Sequence, residues 1–301
     1  MTRWPDFFIV GAPKCGTTAL YEYLRQHPSL FLPFHKEPLF FGNDLTRRYG
    51  RLTTDEYLAL FNEAAEGQRI GEASAWYLYS ESAAREIASV SPSASIIAMV
   101  RQPVDMMYAQ HSQLLFNRQE EIEDFGAALA AEPARRRGER LPPGPLRPET
   151  LRYRDTSRYA DQLQRYFDVF GRERVHVIVF DDFRDATADT VRATFEFLGV
   201  DPDVPVELGA RNVNKQARSA VLQRLVYRPP GPLLRLAPRL RRHPWAHRVR
   251  AWVVSRNSRT ARRAPLDPAL RSQLTQEFEP EIRKLEALLD RPLPSWRSVG
   301  A

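Results

Sequence analysis

A single cysteine, Cys15, stands among 301 residues, so no internal disulfide can form and packing alone must hold the chain. Long apolar runs are missing too. No stretch approaches the roughly 20 apolar residues that cross a bilayer. The first apolar run, Phe7–Val10, is too short for a secretory signal and leads straight into a polar loop. These absences together predict a cytoplasmic protein. Lysine is scarce: 4 residues (Lys14, Lys36, Lys215, Lys284) against 40 arginines. Acid is absent from one long window. From Leu208 to Leu266 there is no Asp or Glu, while 14 arginines and Lys215 give +15, leaving −8 for the rest of a chain whose net charge is +7. A basic segment, 208–266, is therefore attached to a mildly acidic body. The plain reading is a solvated arginine face on helices. The functional reading is a surface that meets an anionic ligand, an acidic acceptor or, through 228–264, a membrane.

What is present begins with Gly11-Ala12-Pro13-Lys14-Cys15-Gly16-Thr17-Thr18, placed directly after Phe7–Val10. A strand followed by a glycine-punctuated turn and a helix start aims backbone N–H groups at an anion. The triphosphate-binding pattern is G-x-x-x-x-G-K-[ST]. Here the two glycines keep that spacing, but Thr17 fills the lysine slot and the lysine has moved inside the loop, to Lys14. The ammonium then meets a different oxygen of a phosphate chain, which argues for another phosphoanhydride donor. Cys15, beside Lys14 at a helix start, is expected to favour its thiolate.

Periodicity places strands at Asp6–Val10, Arg69–Ala73, Ser95–Val100 and Arg174–Phe180. Helices are expected at Thr17–His27, Thr54–Ala65, Ser80–Val90, Pro103 to about Asn117, Ile122–Ala131, Ser157–Phe170 and Thr187–Leu198. Residues 132–150 read as a mobile Arg/Pro/Gly-rich loop, 208–266 as helical, and 267–290 as an amphipathic helix carrying Leu270, Leu274, Phe278, Ile282 and Leu285. Strands alternating with helices predict an α/β, P-loop-like, three-layer fold: one domain over 1–301, with a central, mostly parallel sheet flanked by helices. In such sheets ligands sit at the carboxyl ends of the strands, where both the Gly11 loop and the turn at Arg101 fall.

Pro13-Lys14-Cys15-Gly16-Thr17-Thr18-Ala19-Leu20 resembles the 5′-phosphosulfate loop of sulfotransferases that use PAPS, 3′-phosphoadenosine 5′-phosphosulfate. Lys36-Glu37-Pro38-Leu39-Phe40-Phe41 is similar to the acceptor-side segment of the carbohydrate-type and bacterial branch, and Gly71-Glu72-Ala73-Ser74 also fits. Ile96 through Asp105, with Arg101 at its turn, resembles the strand and turn that bind the 3′-phosphate. The resemblance implies transfer of a sulfuryl group from PAPS, without a metal, to a hydroxyl or amine of a carbohydrate, glycolipid or natural-product acceptor. Residues 13–19 would hold the donor, Lys14 would stabilise the leaving oxygen, and Glu37 would act as general base. His35 is a rival base. Lys36, Trp76 and Tyr77 would face the acceptor. The family's serine eight residues after the arginine is Ala109 here, so either Ser112 or His111 takes its place or Arg101 carries the 3′-phosphate with a residue from elsewhere; Lys215 and Arg218 are also offered to it at a helix start.

Two other classes compete. A P-loop kinase would use Asp181 or Asp182, after the 174–180 strand, for Mg²⁺. A nucleic-acid binder would use the basic segment, but the acidic body and the lack of any reader motif oppose it, and no nucleic-acid partner is expected.

Overall fold

The computed structural model describes residues 3–34, 36–47, 50–143, 147–209, 215–217, 256–260 and 263–297, the side chains of 215–217 and 258–260 excepted. Five strands form the main sheet: β1 (Phe7–Gly11), β2 (Leu30–Phe31), β3 (Arg69–Ala73), β4 (Ser95–Val100) and β5 (Val175–Val179), in the order β2-β3-β1-β4-β5. Every neighbouring pair runs parallel. Strands covered on both faces read as continuous apolar runs. Phe7-Phe8-Ile9-Val10 and Ile96-Ile97-Ala98-Met99-Val100 are such runs, and all are buried.

The connections fix the layers. From β1 the chain runs through α1 (Thr17–Leu24) towards β3. It then reverses through α3 (Ala83–Val90), crossing β1 to reach β4. Between them α2 (Thr54–Leu58) is closed by a capping box on Thr53 and Glu56. Right-handed crossovers taken in opposite directions put α1 and α3 on opposite faces. Past β4 come α4 (Pro103–Phe116), α5 (Phe125–Ala130), α6 (Glu132–Arg136), α7 (Tyr153–Thr156) and α8 (Tyr159–Phe170). Past β5 come α9 (Phe180–Asp185) and α10 (Thr187–Phe197). Helix α10 packs with α1, while α8 packs with α3 and with α11 (Pro268–Leu289), which precedes α12 (Pro294–Arg297). The reversal at β1 creates a crevice at the carboxyl ends of β1 and β4.

Three expectations need correction. Residues 132–150 are not one loop: Glu132–Arg136 is helical and Pro148–Leu151 is a 3₁₀ turn. Arg135 is buried and paired with Glu120 at 2.7 Å, which anchors this stretch. Phe180, expected to end a strand, starts α9. Lys215 does not open a helix. Lys215–Ala217 is a strand, β6, paired antiparallel with β7 (Ser258–Thr260), so the described parts of 208–266 include sheet. Arg218 and most of 228–264 lie outside the described residues. Among the described residues no helix is long and apolar enough to cross a membrane.

Candidate active site

The site starts where β1 stops. Ala12 N–H donates to Met99 O at 2.7 Å, so the loop stays tied to β4 as it leaves the sheet. Glycine is required at position 11, because a Cβ there would come within 2.6 Å of Leu78 Cβ and 2.7 Å of the Ala75 carbonyl. Gly16 caps α1 at φ 97°, and no side chain accepts from the first helical N–H groups. The N–H groups of Gly16, Thr17 and Thr18 therefore face the crevice with no preceding turn to take them. First-turn N–H groups of this kind are what an anion cradle is built from. Ala19 is an exception, since its N–H is taken by Gly16 O at 2.9 Å.

Cations gather around that helix start. Lys14 sits in the left-handed region at φ 62° and donates to Gln113 Oε1 on α4 at 3.1 Å. Burial, then the charges of Arg263, Arg101 and Lys36, lower its pKa to about 8. Arg101 lies over the Phe180 ring at 4.5 Å and donates to Lys14 O at 3.3 Å. Lys36 Nζ bridges Thr17 Oγ1 at 3.2 Å and Glu37 Oε1 at 3.0 Å. Cations this close, with their own carboxylates few, call for a multiply charged anion.

Glu37 closes the far side. Its φ is 66°, its N–H donates to Ala73 O at 2.9 Å, and its carboxylate accepts the Ala75 N–H at 3.3 Å. Backbone strain kept at both Lys14 and Glu37 is typical of positions that chemistry fixes. The Glu37 carboxylate is 34% exposed, open enough to meet an incoming group. Trp76, one residue past Ala75, is half-buried under the Arg147 guanidinium at 5.5 Å from its ring.

The profile of the family described as "Sulfotransferase domain" matches residues 4–224. The chain belongs to the sulfotransferase family. A crystallised sulfotransferase from Alicyclobacillus acidocaldarius is 30% identical, with a TM-score of 0.74 over 98% of this chain and 99% of that one. Carbohydrate sulfotransferase 15 of Mus musculus is 31% identical over 152 residues, covering 36% of this chain and 27% of that protein. Heparan sulfate glucosamine 3-O-sulfotransferase 6 of Homo sapiens is 34% identical over 113 residues, covering 38% and 31%. The chain thus spans between 27% and 31% of the length of these curated relatives.

Within this sulfotransferase, Pro13, Lys14, Gly16, Thr17, Thr18, Lys36, Glu37 and Arg101 come together around one crevice. Other expected residues do not. Tyr77 is fully buried; its hydroxyl donates to Glu72 Oε2 at 2.9 Å and accepts from Phe41 N–H at 3.2 Å, so it belongs to the core and not to an acceptor cleft. The Ser112 hydroxyl donates back to Tyr108 O at 3.0 Å. His111 is buried, with Nε2 at 2.8 Å from Ile122 O. Cys15 is no thiolate: burial pushes its pKa up to about 12, outweighing Arg101 and Lys14, and Sγ donates to Pro13 O. His35, Arg218 and the Lys215 side chain lie outside the described residues.

The sulfotransferase also engages both aspartates that a kinase would have offered to a metal. Asp181 accepts the Trp296 indole N–H at 2.7 Å, and Asp182 pairs with Arg291 at 2.5 Å. Sequence reasoning missed one group and gave another no role of its own. Arg263 charges the same crevice from 249 positions beyond Lys14, a distance no local pattern spans. Glu72, wholly buried under the Tyr57 and Tyr77 hydroxyls, has its pKa raised to about 7 by loss of water. An acid inside an apolar strand was the available signal for Glu72.

Proposed function

We propose that this sulfotransferase moves the sulfuryl group of PAPS to a hydroxyl or amine of a carbohydrate, glycolipid or related small acceptor and releases 3′,5′-bisphosphoadenosine (PAP). The observation that carries the reading is the uncapped start of α1 beside Lys14, with Arg101 on the adjacent strand end. The residues fit the donor, because its two anionic ends need separated cationic sites along one crevice edge and β1 and β4 supply them. In the transfer, the acceptor oxygen (or nitrogen) forms a bond to sulfur as the sulfur–oxygen bond to the 5′-phosphate breaks. Lys14 neutralises charge growing on the departing oxygen, and the first-turn N–H groups hold the phosphate. Glu37 takes the acceptor's proton, and Lys36 keeps that carboxylate aimed while contacting Thr17.

The acceptor class is supported by two features. The relatives named above are named for carbohydrate and heparan sulfate acceptors. Trp76 under Arg147, next to the residue that holds Glu37, offers an aromatic plate with a cation for a sugar face.

Transfer of labelled sulfate from PAPS to a panel of sugar and small hydroxyl acceptors tests the scheme. Lys14→Ala is expected to lose at least about 100-fold in transfer while remaining folded, as removal of one charge-stabilising donor does. Glu37→Gln is expected to slow transfer about 10²-fold or more with PAP affinity unchanged. Full turnover by either variant removes that residue from the mechanism, and wild-type protein stabilised by ATP with Mg²⁺ but not by PAP overturns the donor.

A further inference from the structure

Glu37 can serve as a base only if its carboxylate stays where the acceptor's proton arrives, and its backbone resists that placement. Glu37 and Leu39 both sit in the left-handed region, at φ 66° and 54°, with Pro38 between them. Neither is a glycine, so the conformation persists only where neighbours over-determine it. Three alternate N–H groups hold the segment. Glu37 N–H donates to Ala73 O at 2.9 Å, Leu39 N–H to Ser74 Oγ at 3.1 Å and Phe41 N–H to the Tyr77 hydroxyl at 3.2 Å. All three acceptors belong to residues 73–77, the stretch that also gives the Glu37 carboxylate the Ala75 N–H.

Behind the last of these tethers stands Glu72, wholly buried on β3 opposite Phe8 of β1. Its Oε2 accepts the Tyr77 hydroxyl at 2.9 Å and the Tyr57 hydroxyl at 3.0 Å, while Oε1 is buried with no hydrogen-bond partner among the described residues. An acid kept in the core with one oxygen unpaired lowers stability, and an apolar side chain would fill the same space better. Its use lies in direction. A hydroxyl has one proton to donate. Because Tyr77 gives that proton to Glu72, its lone pairs are left for Phe41 N–H, and donation to a carboxylate makes its oxygen the stronger acceptor. Tyr57 gives its proton to the same oxygen, yet among the described residues its hydroxyl takes no N–H from the 37–41 segment. It meets that segment through its ring, stacked on Phe40 at 4.2 Å.

We propose that the buried Glu72–Tyr77 pair positions the base: it grips Phe41, and with it the strained Glu37–Phe41 turn, so that the Glu37 carboxylate stays at the crevice. The assignment rests on Glu37 being the base. Both side chains are sealed in the core, so they act on the rate of transfer and not on nucleotide affinity.

The test compares Tyr77→Phe with Tyr57→Phe, each alone and in a Glu37→Gln background. Labelled sulfate is followed from PAPS to the fastest acceptor of the panel, or to water where none responds, and PAP affinity is measured by calorimetry. Both tyrosine variants delete one hydroxyl from the same carboxylate oxygen and keep the ring, so both are expected to melt below wild type. Only Tyr77→Phe is expected to lower kcat, by about 10-fold, with PAP affinity within about twofold of wild type. In the Glu37→Gln background it is expected to add less than about twofold, since a base already disabled cannot be displaced further. Glu72→Gln keeps an acceptor for Tyr77 but drops the charge, and is expected to lower kcat about threefold. It decides the matter if Tyr77→Phe does not fold. Equal kcat for the two tyrosine variants overturns the proposal. So does a Tyr77→Phe loss that persists in full beside Glu37→Gln, which would mark general damage to the fold. Full turnover by Glu37→Gln defeats the base reading itself, a separate result.

Discussion

Lys14 shows how a single side chain can be tuned by its surroundings. It is stripped of water and set among Arg263, Arg101 and Lys36, and each effect disfavours its charge. With a pKa near 8 it is half-neutral at pH 8 until an anion arrives. A dianion beside it restores the proton, so binding takes up about half a proton at pH 8 and approaches one above it. PAP affinity is therefore expected to be flat below about pH 7 and to fall roughly tenfold per unit above pH 8, and Lys14→Arg is expected to remove the break. Titration from pH 6.5 to 9.5 in buffers of different ionisation enthalpy measures this, and a flat wild-type profile would refute it. At this scale the gathering of Lys14, Lys36, Glu37 and Arg101 at one crevice was legible in the sequence, because local spacing sets them at strand ends and turns. Cys15 was misread for the opposite reason. Its neighbours in sequence favour a thiolate, but its burial, which sequence does not display, decides the outcome. Ser112 and Tyr77 were misread likewise, one turned onto its own helix and the other sealed under Phe41.

Elements set the loop's shape. Gly16 joins the loop to α1 at φ 97°, a conformation costly for any residue with a Cβ. A methyl group there would also sit 3.1 Å from Met99 Cε and 3.2 Å from the Phe183 ring. Gly16→Ala is expected to cost about 2–3 kcal/mol, the sum of backbone strain and crowding. PAP affinity should drop with it, because the first-turn N–H groups are displaced. Denaturant melts and PAP titration check both, and a variant with native stability would show that the turn tolerates a side chain. Elements with strong patterns were readable. Ser95–Val100 stands where its apolar run puts it, and Arg69–Ala73 is a strand over the expected residues. Leu30–Phe31 was not, since a strand of two residues carries no period. Phe180–Asp185 was hidden by the apolar run that precedes it, and Lys215–Ala217 by a partner more than 40 residues away.

The whole molecule is held by a core that runs further than the family match. Matched residues end at 224, yet the apolar cluster that begins at Phe7 takes in Leu274, Phe278, Ile282, Leu285, Leu293 and Trp296. The fold class was legible from alternating strands and helices; the dependence on the C-terminus was not, because amphipathicity says that α11 packs without saying on what. It packs on α8 and α4, and Trp296 locks the end in place. Its indole N–H donates to Asp181 on α9, and its carbonyl accepts Gln102 Nε2 at 3.4 Å, one residue from Arg101. The C-terminal segment therefore braces the turn that carries the second cation of the site. Trp296→Ala removes a buried aromatic from this joint and is expected to cost about 3–5 kcal/mol. That corresponds to a fall in melting temperature on the order of 10 °C. Because the joint backs onto Gln102, PAP is expected to recover part of the lost melting temperature in Trp296→Ala while 5′-AMP recovers less. Calorimetric melts with each ligand measure it. A variant that melts within 2 °C of wild type, taken as roughly the shift of a surface substitution, would show that the C-terminal end rides on the core without supporting it.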